Sequence, residues 1–229
     1  MNLFFSDKPG SHERHLRRKV NNPLFGDLVF TQQDVLDARA LDEAEHKAFL
    51  DTFHAIGREA AGLNEHVEAE VLIELKPRLE NSYEQSCYVM GNPQDIRDGL
   101  AKLIDSIMNA LLGSSRQDED ATRKLLEEKS AREVHFELLA FPFIADLIRK
   151  DSPIQSDELI PTLLSEQDKV VIAATRLFTA EQLAFICETG ERMLADVHSD
   201  NECIRHARES LQLLLTVRDQ QQADAVSAS

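Results

Sequence analysis

The sequence predicts an all-α protein: an antiparallel four-helix core, an N-terminal arm and a smaller C-terminal helical region. Three observations predict it. Apolar residues recur at helical spacing almost without interruption from about residue 32 to 220. Helix breakers are few, with 8 Gly and 7 Pro in 229 residues. Helix start signals also recur between the periodic segments.

Residues 1–30 form the arm. "KPG" at 8–10 and "NNPLFGD" at 21–27 are turns, and "HERHLRRKV" between them has room only for a short helix. Leu3, Phe4, Phe5, Leu24, Phe25, Leu28, Val29 and Phe30 are too apolar for a free tail. Thr31 with Asp34 resembles a capping box and opens a helix over 32–61, carrying Val35, Leu36, Phe49, Phe53, Ile56 and Ala60. Gly62 and Asn64 then predict a chain reversal. A third of the way along the chain, a helix over 65–89 shows Val67, Val71, Leu72, Leu75 and Leu79, with a kink expected at Pro77. Gly91 stops it, Asn92 caps the next helix and Pro93 takes its first position. That helix, 93–112, carries Leu100, Leu103, Ile104, Ile107, Met108 and Leu111. The fourth, 118–149, carries Leu125, Leu126, Phe136, Leu139, Phe143, Ile144 and Leu147, and Pro142 is expected to bend it.

The expected divisions are 1–30 (arm), 31–150 (four-helix core), 151–221 (C-terminal region) and 222–229 (disordered tail). Beyond 150 the helices shorten to 156–164, 166–177, 180–197 and 200–221, with capping boxes at Thr179/Gln182 and Ser199/Glu202.

Charge is unevenly spread. Residues 1–20 hold five Lys or Arg against Asp7 and Glu13, a balance of +3. The other 209 residues hold 20 basic against 39 acidic side chains, a balance of −19. An acidic body repels nucleic acid and anionic membrane, so neither is an expected partner. No apolar run approaches the ~20 residues that span a bilayer, and the N-terminus lacks the pattern of a secretory leader, so a cytoplasmic protein is expected. Cys87, Cys187 and Cys203 are odd in number and widely spaced, which predicts buried thiols rather than a disulfide framework.

No G-x-S-x-G, Gly-rich phosphate loop or H-E-x-x-H occurs, and no cofactor or catalytic residue is expected. The alternative reading is a metal or cofactor site, with possible oxidoreductase chemistry, on the 32–61 helix. There Glu43/His46 and Asp51/His54 repeat an i, i+3 spacing that puts carboxylate and imidazole on one face. A di-iron bundle needs a second such pair, and none is evident: Glu133 and His135 are two apart, and Glu65 and His66 are adjacent. His46 lies within the Phe49/Phe53 stripe and is expected to be a packing residue. "SHERH" at 11–15 resembles a zinc motif only superficially. "HFELLAFPF" at 135–143 reads as core or as an apolar groove.

The leading expectation is a non-catalytic interaction or scaffold protein, homo-oligomeric, with a protein or a second copy as partner. Its interaction residues are Phe4, Phe5, Arg14, Arg17, Arg18, Lys19 and Phe25. The apolar anchors are expected to hold the arm, and the arginines to set where it lies, because a buried large side chain outweighs an exposed ion pair.

Overall fold

The computed structural model describes residues 7–20, 22–26, 28–61, 69–195, 197–199 and 201–227. All regular structure among them is helical. The helices are α1 (Ser11–Lys19), α2 (Gln32–Ala61), α3 (Ala69–Tyr88), α4 (Gln94–Ser114), α5 (Glu119–Leu139), α6 (Pro142–Ile148), α7 (Leu159–Leu163), α8 (Asp168–Ala174), α9 (Ala180–Ala195) and α10 (Glu202–Ser227). Short 3-10 turns occupy Pro23–Phe25 and Thr175–Leu177. Among the described residues no helix is long and apolar enough to cross a membrane.

The chain forms two compact units: Met1–Glu13 with Val35–Ala145, and Arg14–Asp34 with Asp146–Ser229. The N-terminal stretch is shared out inside α1, and the second border falls at Ala145/Asp146.

In the first unit one apolar cluster draws on several helices. Ile56 comes from α2, Leu75 and Leu79 from α3, and Leu100, Ile104, Ile107 and Leu111 from α4. Leu125 and Phe136 of α5 pack against it. The i, i+4, i+7, i+11 spacing of the α4 residues is what places them on one face. The aromatic patch at 135–143 is core: Phe136 stacks on Tyr83 with ring centroids 3.7 Å apart, and Leu138, Leu139 and Phe143 are buried.

Several local expectations change in detail. Gly91 and Asn92 both take positive φ, 85° and 46°. Asn92 therefore makes the turn instead of capping, and Pro93 sits at the cap position before Gln94. Arg97 fixes this turn by donating to Asn92 Oδ1 and to the Ser86 carbonyl, both at 2.8 Å. Pro142 ends a helix rather than bending one, since α5 stops at Leu139 and Pro142 opens α6. A proline at the first helical position loses no intrahelical bond, whereas inside a helix it would. The Gly62–Asn64 reversal lies outside the described residues.

In the second unit Leu163, Leu164, Val171, Leu183, Cys187, Ile204 and Leu214 are fully buried. Gly190 lets α9 approach α10 closely: a Cβ there would meet Leu211 Cδ1 at 3.0 Å. The Thr179/Gln182 box forms reciprocally, at 2.9 and 3.2 Å. At α10 the cap is Asn201, whose Oδ1 accepts from Ile204 N–H at 2.9 Å, in place of the expected Ser199/Glu202 box. α10 also runs on to Ser227, through the segment expected to be disordered. Gln, Ala, Asp and Val there contain no breaker, so the helix propagates from its buried turns. Cys203 is exposed rather than buried.

Candidate functional site

The basic stretch that stands out in the sequence becomes α1, and α1 is seated by charge. Arg14 and Arg18 are four apart and share a helix face. Both reach Asp146, whose side chain is 0% exposed. Arg14 Nε donates to Asp146 Oδ2 at 3.1 Å, and Arg18 Nη1 donates to the same oxygen at 2.6 Å. Arg18 Nε also donates to Glu166 Oε1 at 2.9 Å. One position along, His15 Nε2 lies 2.8 Å from Glu158 Oε2, and Lys19 pairs with Glu158 as well. A buried carboxylate is tolerated only when charged donors fill its lone pairs, and two guanidiniums do that for Asp146.

The surroundings move several pKa values. Burial lowers the His15 pKa, partly offset by Glu158. Burial raises Glu166 against the pull of Arg18. Burial also opposes charge on Glu158, yet its bonds from Lys19, Gln155 and His15 hold it below the ordinary carboxylate value. His15 Nδ1 is buried without a hydrogen-bond partner, so a proton added there finds no acceptor.

A pH dependence follows. The folded His15 has a lower pKa than the unfolded one, so the unfolded chain takes up the proton first. Stability from this group is complete above about 6.5 and falls as pH drops through that value toward the folded pKa. Wild type should therefore lose urea resistance between pH 7.5 and 5.5 relative to His15→Gln, which keeps a donor for Glu158 but does not titrate. Parallel pH profiles of the two proteins would refute the assignment.

The predicted interaction residues separate into distinct roles. Arg14, Arg18 and Lys19 are ion-paired within the second unit, and Arg17 is exposed. Phe25 is half-buried, with the Lys19 ammonium 5.8 Å from its ring centroid. Phe4 and Phe5 lie outside the described residues. Arg14 and Arg18 keep 15% and 13% of their side-chain surface, and Leu24 and Phe25 share their intermediate burial. Ion pairs and partly buried apolar side chains thus both contact the second unit along this stretch.

The α2 candidates do not gather. Glu43, Asp51 and His54 are exposed, and His46 is half-buried with its Cε1 facing Gly91. His46 Nδ1 is buried without a hydrogen-bond partner. The polar face of α2 that meets other side chains lies one position away, at Asp42 and Glu45. Asp42 is buried, and its two oxygens accept the His12 and Glu13 backbone N–H groups at 3.0 Å each, capping α1. His12 Nε2 lies 2.9 Å from Glu45 Oε1. Elsewhere in this unit, His135 bonds Glu84 at 2.8 Å, and that bond raises its pKa.

An apolar groove of about 380 Å³ also opens on the first unit. Phe53, Gly57 and Ala60 of α2 form one wall, and Ile96, Gly99 and Leu103 of α4 the other, with Leu79 of α3 among its lining residues. A Cβ added at Gly57 or Gly99 would meet nothing within 4 Å, so both walls are low at these points. Sequence reasoning missed the groove because Phe53 and Leu103 read as ordinary core. The signal available was the pair of helix-interior glycines, each costing roughly 1 kcal/mol against Ala unless space requires it. Comparison with known protein families, with curated proteins and with solved structures finds no match for this chain.

Proposed function

We propose that this chain is a protein-interaction module and that the α2/α4 groove receives an amphipathic helix from a partner protein. The observation that carries this reading is the groove itself: apolar walls, two glycines that let a backbone come close, and an opening to solvent. Helix-in-groove recognition uses such a surface, with anchors at i, i+3, i+4 and i+7 of the guest. Charge selects the guest. Asp95 borders the groove, and the chain carries −16 overall, so a helix whose polar face is Lys- and Arg-rich is steered in. A second copy of the chain brings like charge to the same rim, which favours a different protein over self-association.

Two synthetic helical peptides test this. Both carry the same Leu/Ala apolar face, one with a Lys/Arg polar face and one with a Glu polar face. The basic peptide is expected to bind the full-length protein at least about tenfold more tightly, a difference of about 1.4 kcal/mol. Gly99→Phe fills the groove without entering the core and should reduce that binding by a similar factor. Binding that ignores both the peptide charge and Gly99→Phe refutes the reading. A doubled mass in light scattering that Gly99→Phe abolishes would replace the partner with a second copy.

A further inference from the structure

The first unit brings a histidine of α1 to two carboxylates of α2 about thirty residues away in sequence. The ligand atoms of His12, Asp42 and Glu45 all lie within 4.8 Å of one another. Asp42 and Glu45 are three apart on α2 and so share a face. His12 is the second residue of α1. Gly10 permits the approach, because a Cβ there would lie 2.4 Å from the Asp42 carboxyl carbon. Asp42 is 1% exposed, and among the described residues no Lys or Arg lies within ion-pairing distance of it. The other two donors stay reachable from solvent, with side chains 20% and 24% exposed.

We propose that His12, Asp42 and Glu45 bind a divalent first-row cation of the zinc type. One imidazole nitrogen and two carboxylate oxygens make a three-donor set that leaves a fourth tetrahedral position for water. Capping α1 does not exclude it: each Asp42 oxygen accepts one N–H and retains another lone pair. His12 Nε2 becomes the ligand, and the imidazole proton resides on Nδ1. A divalent ion supplies charge that answers both carboxylates. The absence of a thiolate from the set favours Zn²⁺ or Mn²⁺ over Cu⁺. This site is independent of the groove and stands or falls separately from it.

The test is titration of the full-length protein with Zn²⁺ by calorimetry, with His12→Gln and Glu45→Gln as variants. Asp42 is left intact because its loss would uncap α1. Wild type should bind one Zn²⁺ per chain at this site, and each variant should lose at least about tenfold in affinity while its circular dichroism is unchanged. Cys203→Ser should bind like wild type, because the exposed thiol is not a ligand. Ring-nitrogen NMR of the unmodified protein gives a readout that needs no variant: Zn²⁺ should shift His12 before the other histidines. No stoichiometric binding, equal affinity in the variants, loss with Cys203→Ser, or first response at another histidine would each overturn the proposal.

Discussion

Asp146→Ala should cost the second unit about 3–5 kcal/mol, the expected loss when one partner of a buried ionic network is removed. Asp146 is fully buried and takes both Arg14 and Arg18. Truncation removes the carboxylate that both guanidiniums share, while Arg18 still donates to Glu166. Arg18→Ala should cost less, since Arg14 still answers Asp146. Replacing all three together (Arg14→Met, Arg18→Met and Asp146→Leu) should recover most of the loss, because it removes the desolvation cost along with the pairing. Urea unfolding followed by circular dichroism measures each. A loss below about 1 kcal/mol for Asp146→Ala is the value exposed pairs give, and it would mean that solvent reaches the seat.

Leu79→Ala should destabilise the first unit by about 2–5 kcal/mol, the range for removing a buried leucine. Leu79 is fully buried in the cluster with Ile56, Leu75, Leu100 and Ile104, and it lines the groove. The void it leaves therefore joins a space already open to solvent. That favours the lower half of the range, because a cavity that guest atoms or water can enter costs less than a sealed one. Leu103→Ala, on the groove wall and 38% exposed, should cost well under half as much while weakening the basic peptide more. If both substitutions weaken peptide binding only in proportion to lost stability, the groove is a packing defect and not a docking surface.

The sequence by itself determined the helical class and most helix positions. Gln32–Ala61 and the Thr179 box could be read because periodicity and capping depend on residues three or four apart. It also singled out Arg14, Arg18 and Lys19, because a +3 stretch on an acidic chain must find anions nearby. It could not name those anions. Asp146 sits inside the apolar run "FPFIADLI" and reads as one more core-helix position, more than a hundred residues from its arginines. His12, Asp42 and Glu45 were equally hidden: the α2 pattern Glu43/His46 looked better locally, and thirty residues separate His12 from Asp42. Tertiary structure alone chose among them, because a helix wheel gives the angle between side chains on one element and says nothing of which element comes to face it. The same limit hid the groove, whose walls are a wheel position on α2 and another on α4 that the other described residues leave uncovered.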